Sequence, residues 1–221
     1  MARESFHEAL EGLQKEVIDM GMLVDQAIDD AIQALKTRDI SWSQRIVEGD
    51  IEINKMRFRI EERCLSLLAT QQPMARDLRT IAAVLSIITD LERMADHAEG
   101  IARINIMMGD EPLLKPLIDI PRMAQKARQM LGQSLQAFIN RDIRKAKDLC
   151  EEDDEIDELY NQVYRELLTF MLQDPKTITR ATYLLWVAHN LERIGDRVTN
   201  ICERTVFMVT GELEEIKVSK Y

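Results

Sequence analysis

Two stretches, Leu91-Glu92-Arg93…Asp96 and Leu191-Glu192-Arg193…Asp196, carry the same Leu-Glu-Arg-x-x-Asp pattern 100 residues apart. On a helix each copy sets carboxylates at i and i+4, side by side on one face. Like charges at that spacing repel unless a cation or a base joins them. A second constellation repeats as well. Asp153 and Asp157 stand at i and i+4, and their counterparts at an offset of 103 residues are Asp50 and Asn54. A single Glu-x-x-x-Asp is most often a solvated charged face. A repeated pair that faces a repeated pair points to cation binding instead. The donors are oxygens, which suit Mg²⁺, Mn²⁺, Ca²⁺ or iron. Zinc also fits carboxylates, although no His/Cys set demands it.

Helices must position these groups. With Leu91 at the origin of a helical wheel, Glu92 falls near ~100° and Asp96 near ~140°, at the edge of the apolar stripe. Ile81, Val84, Ile88, Leu91, Ala95, Ala98 and Ala102 recur at steps of three and four. Leu184, Ala188, Leu191, Gly195, Val198 and Cys202 do the same. Both are heptad-like seams. If each seam helix lies antiparallel to the helix before it, each half converges its Glu-x-x-x-Asp on an Asp-x-x-x-Asp or Asp-x-x-x-Asn.

Punctuation gives six helices: 3–37, 41–71, 75–109, 121–140, 143–173 and 176–211. Pro73 and Pro175 mark equivalent breaks, and Pro112, Pro116 and Pro121 cluster between the halves. Asp39 and Asp142 follow polar turns and are placed to N-cap the next helix. No segment alternates as a strand does. The expectation is an all-α chain made by internal duplication: a three-helix repeat at 1–110, a linker at 111–121 and a second repeat at 122–221. A single fused six-helix bundle is the alternative.

Composition narrows the function. The net charge is −10 with 46% hydrophobic and 5% aromatic residues, so the chain lacks a nucleic-acid footprint. No apolar run approaches the ~18 residues of a membrane span. Met1-Ala2-Arg3-Glu4 opens no signal peptide. Cys64, Cys150 and Cys202 follow no metal or disulfide spacing and suit a reducing cytoplasm as buried small hydrophobes. His97 points past Asp96, towards solvent on the wheel, and His189 shows no partner. Glu4-Ser5-Phe6-His7 has a di-iron-like spacing but is not duplicated. Trp42, Trp186 and the methionines read as packing residues. There is no phosphate-cradling Gly-rich loop and no Ser or Cys nucleophile signature.

Several segments together resemble the PhoU family of phosphate-transport accessory proteins over nearly the whole chain. They are Asp90-Leu91-Glu92-Arg93-Met94-Ala95-Asp96-His97-Ala98, Asn190-Leu191-Glu192-Arg193-Ile194-Gly195-Asp196-Arg197-Val198-Thr199-Asn200-Ile201, Gln72-Pro73-Met74-Ala75-Arg76-Asp77-Leu78-Arg79, Asp154-Glu155-Ile156-Asp157-Glu158-Leu159-Tyr160 and Val209-Thr210-Gly211-Glu212. The resemblance implies two three-helix bundles bearing polynuclear metal sites of iron, zinc, manganese or magnesium. Those sites map onto Asp50/Asn54 with Glu92/Asp96, and onto Asp153/Asp157 with Glu192/Asp196. Asn200 is an additional ligand candidate. Asn54 removes a charge from the first site, and Gly100 stands where the second repeat has Asn200, so the first site is expected to be the weaker.

The resemblance further implies a cytoplasmic, non-enzymatic negative regulator of phosphate uptake and of the starvation response. It would link the ATPase subunit of a phosphate ABC transporter to a sensor histidine kinase, reach the membrane only through these partners, and form a homodimer. Two other readings compete with it: a metal-dependent enzyme acting on phosphate or phosphoesters, and a plain structural bundle with solvated acidic pairs.

Overall fold

The computed structural model describes residues 2–216, with side chains from Phe6 onward, so Glu4 of the Glu-x-x-His spacing lies outside the described side chains. All regular structure among the described residues is helical. The first repeat holds α1 (Ala2–Thr37), α2 (Ile40–Gln71) and α3 (Ala75–Met107). The second holds α4 (Asp119–Asn140), α5 (Ile143–Glu152), α6 (Asp154–Gln173) and α7 (Ile178–Thr210), with a 3-10 turn at Pro175–Thr177.

Local chemistry accounts for the boundaries. The Asp39 carboxylate accepts from the Trp42 N–H at 2.8 Å, and Asp142 accepts from Lys145 N–H at 3.0 Å, so both expected caps are in place. Each cap follows an arginine in the left-handed region, Arg38 at φ 58° and Arg141 at φ 55°. These residues end α1 and α4 as glycine commonly does. α4 begins at Asp119, two residues earlier than its expected start. Pro121 is tolerated there because the first turn leaves its N–H unused.

One expected helix differs. The segment at 143–173 is interrupted at Asp153, whose carbonyl accepts from the N–H groups of Ile156 and Asp157 and so starts α6. The acidic run Glu151–Glu155 explains this. A fresh N-terminus puts Asp154, Glu155 and Asp157 in a first turn, where the helix dipole favours negative charge.

The heptad-like positions on α3 and α7 are buried, as the spacing required. Each lies in a bundle of its own repeat, with α1 and α2 around α3 and with α4, α5 and α6 around α7. The bundles also pack against each other through α3 on α7 and α1 on α4, and one hydrophobic cluster runs through both. Arg128 of α4 clamps Asp25 of α1 with two 2.9 Å hydrogen bonds and reaches Asp29 at 2.5 Å. The packing expectation fails at several surface positions: Trp186 and Met74 are exposed, as are Met22 and Met107.

Candidate metal centre

In the second repeat α5, α6 and α7 bring four acids together. Asp153 sits at the break between α5 and α6 and is only 1% exposed. Gly195 on α7 makes this possible, because a Cβ there would lie 2.4 Å from Asp153 Oδ1. Glu192 is one turn away on the same helix. Burial first, with the charges of Asp196, Asp157 and Asp153 and against the pull of Arg193, pushes its carboxyl up to about 7. All four acids foreseen in sequence are therefore electrostatic neighbours. Glu192 Oε2 is enclosed. His189 Nδ1 lies 3.3 Å from it, outside hydrogen-bond geometry, so His189 has a neighbour the sequence did not suggest.

The first repeat builds a related group on α2 and α3. Burial first, and then the charges of Glu99, Asp96 and Glu92, together raise the Asp50 carboxyl to about 6. The Asn54 amide opposes the shift by donating to Asp50 Oδ2 at 2.6 Å. Glu99 did not figure in the sequence reading. Its signal was present, since Glu92, Asp96 and Glu99 follow the i, i+4, i+7 spacing of one face. The second repeat has Thr199 at that place. The charge lost at Asn54 is thus regained at Glu99, and each repeat gathers four carboxylates.

Arginines hold the outer carboxylates. Arg93 lies 3.2 Å from Asp96 and 3.5 Å from Glu92, and Arg193 lies 2.6 Å from Asp196. Among the described residues no three His, Cys, Asp or Glu side chains close on a single point. The donor atoms themselves are of the type that hard cations take. Each set is all-oxygen, partly buried and charged beyond what its own helices neutralise. Burial and neighbouring acids lift the Glu192 and Asp50 carboxyls above the usual carboxylate range.

Two residues bond across the repeats. His97 is half-buried, not solvent-facing, and its Nδ1 meets Asn190 Oδ1 of α7 at 2.9 Å. The Asn190 Nδ2 donates to Trp186 O, which leaves Oδ1 as acceptor and puts the proton on His97 Nδ1. Burial lowers the His97 pKa. Asn200 Nδ2 donates across the same seam to Asp90 Oδ1 at 3.0 Å, and Arg197 approaches that oxygen at 3.5 Å. Gly100 lies beside Asn190, 3.1 Å from Oδ1 for an added Cβ. Its smallness therefore admits a side chain from the other repeat. A single-repeat wheel shows none of this, because the covering helix belongs to the other half.

The model of the PhoU domain matches residues 17–104 and again 120–205. The chain belongs to the PhoU family. It is 41% identical over 204 residues to the phosphate-specific transport system accessory protein PhoU homolog of Aquifex aeolicus, covering 92% of each chain. The Escherichia coli accessory protein PhoU is 35% identical over 207 residues, covering 94% of this chain and 86% of that protein. The crystal structure of PhoU from Pseudomonas aeruginosa superposes with a TM-score of 0.88 at 33% identity, covering 94% of this chain and all of that one. The PhoU of Streptococcus pneumoniae, described as a phosphate transport system regulatory protein, matches with a TM-score of 0.88 at 32% identity, covering 95% of this chain and 99% of that one. Both PhoU domains span their complete acidic groups, Asp50 to Glu99 in the first and Asp153 to Asp196 in the second.

Proposed function

We propose that this chain is a metal-assisted regulator accessory to a phosphate ABC transporter. It restrains uptake and the starvation response by contacting the transporter's ATPase subunit and a sensor histidine kinase. The observation that carries this reading is the full-length relationship to phosphate-specific transport accessory proteins on both sides of the duplication. Among the described residues no helix is long and apolar enough to cross a membrane. In this reading the chain is cytoplasmic, reaches the membrane through its partners and acts as a homodimer.

Asp153, Asp157, Glu192 and Asp196 would hold cations in the second repeat, and Asp50, Glu92, Asp96 and Glu99 in the first, with the amide oxygens of Asn54 and Asn200 as further donors. Bound iron, zinc, manganese or magnesium supplies positive charge to these acidic faces. The chain's own contribution is placement. Gly195 admits Asp153 to the second group, and Arg93 and Arg193 neutralise the outer acids when no cation does. A surface whose charge depends on its ions can dock on one partner and be repelled by another.

Capture of the transporter ATPase or the kinase from membranes by the tagged chain tests the adaptor role. Binding should weaken as salt rises. Deletion of the gene should raise starvation-gene expression in high phosphate. If neither partner is retained at low salt and phosphate control survives deletion, the reading fails. Phosphate release from phosphoesters by the metal-loaded chain would favour the enzyme alternative.

A further inference from the structure

α2 buries one face and leaves the opposite one open. On the open face Ile51, Phe58 and Leu65 are each more than half exposed and stand seven residues apart. A seven-residue step keeps them within ~20° of one line. The pattern continues symmetrically. Val47 and Ala69 lie eleven residues to either side of Phe58 on the same line. Read in either direction from Phe58, the stripe is aliphatic at the same distances, so it complements itself when reversed.

The flanking charges obey the same symmetry. Lys55 lies three residues before Phe58 and Glu62 four after it, both on the same side of the stripe. In two antiparallel copies of α2 related by a twofold axis at Phe58, same-side residues meet. Lys55 then faces Glu62 of the second copy, and Glu62 faces its Lys55. Lys55 now bonds the exposed Glu52 at 2.8 Å, an exchangeable surface pair. Arg57 covers one side of the Phe58 ring at 5.0 Å from its centroid and leaves the remainder of the ring open. At the 103-residue offset, the second repeat has Asp154, Asn161 and Leu168 in place of Ile51, Phe58 and Leu65. The stripe is therefore not a requirement of the bundle.

We infer that the open face of α2 is the surface on which a second copy of this chain docks, antiparallel, with Phe58 on the twofold axis and Lys55 and Glu62 pairing across it. This rests on the homodimer reading above and names its interface. One helix pair covers less than the roughly 800 Å² per partner of a standard interface, so association is reversible and concentration-dependent.

Sedimentation velocity on the full chain, from roughly 1 to 100 µM, tests it. The wild type should pass from monomer to dimer across the range. Phe58→Glu should weaken association by at least about tenfold with unchanged circular dichroism, since it buries a charge against its own symmetry mate. Lys55→Glu and Glu62→Lys should each weaken it, and the double exchange should restore it to within about threefold. Phe58→Cys should form a disulfide-linked dimer under mild oxidant, because the native cysteines are buried. A wild-type dimer that Phe58→Glu leaves intact overturns this surface while the homodimer reading stands. A wild type that stays monomeric throughout overturns both.

Discussion

Asp90 and Asn190 hold the same place in the two repeats, and each reaches across to the other repeat's last helix. Asp90 meets Arg197 and Asn200, whereas Asn190 meets His97 and lies over Gly100. α3 and α7 thus cross about a pseudo-twofold axis, with a different polar pair on each side. Asp90 is buried, and its pKa is raised by that burial although Asn200 and Arg197 pull it down. Replacing Asp90 by Ala strands a half-buried guanidinium and an amide, and should cost roughly 2–3 kcal/mol. Asn190→Ala strands a neutral imidazole and should cost about 1 kcal/mol. Urea unfolding of the two variants checks the order. Equal losses would show that the charge in the seam carries no weight.

Gly195 and Gly49 give opposite expectations for the same change. A Cβ at 195 collides with Asp153 Oδ1 and comes within 3.0 Å of Ile156 Cδ1, in a place where Asp153 is enclosed. Gly195→Ala should destabilise by ~1–3 kcal/mol and lower metal content in the second repeat. Gly49 on α2 is exposed with nothing within 4 Å of an added Cβ. Gly49→Ala should stabilise by about 0.5–1 kcal/mol through helix propensity alone. Thermal melts of both check the opposite signs.

Glu192 supplies a pH dependence. Its carboxyl ionises near 4.5 when unfolded and at about 7 when folded. The folded chain therefore binds the extra proton between those values. Stability due to this group is full below pH 4.5 and is lost as pH rises through 7. In chelator-treated protein Glu192→Gln should flatten the fall in melting temperature from pH 5 to 8, while the parent keeps it. With metal present the same ionisation should favour binding, so affinity should rise with pH. A parent melting curve that is level over this range without metal would contradict the shift.

Metal content after purification without added metal addresses the ligand sets. Glu192→Ala with Asp196→Ala should remove ions from the second repeat, and Glu92→Ala with Asp96→Ala from the first. Because Glu99 makes up for Asn54, the losses should be similar, and Glu99→Ala alone should weaken the first set. Elemental analysis that finds metal unchanged in both double variants would refute the assignment.

Much of this was legible in sequence because it is local or repeated. The Asp39 and Asp142 caps follow from turn chemistry, the α3 and α7 seams from spacing, and the acidic neighbours from the duplication. What escaped was set by packing between repeats. A wheel points His97 to solvent because nothing within its own repeat covers that face. Gly100 looked like a lost ligand, whereas it is where Asn190 packs. Asp153 falls within the expected 143–173 helix, yet five consecutive acids favour a second helix start there. Glu99 is hidden for another reason: with Thr199 opposite, it does not repeat, and without repetition an acid on a helix reads as a solvated charge.

The divergence of the polar seam also restricts how separate copies of the halves can combine. Two second repeats placed about the same axis would set Asn190 against Arg197 and Asn200, leaving the arginine with no acid to neutralise it. The covalent link at 108–118 keeps the intended halves at a high effective concentration. Exchange of repeats between molecules is thereby disfavoured twice, by the tether and by the mismatch. A second repeat is matched to a first repeat in preference to another copy of itself.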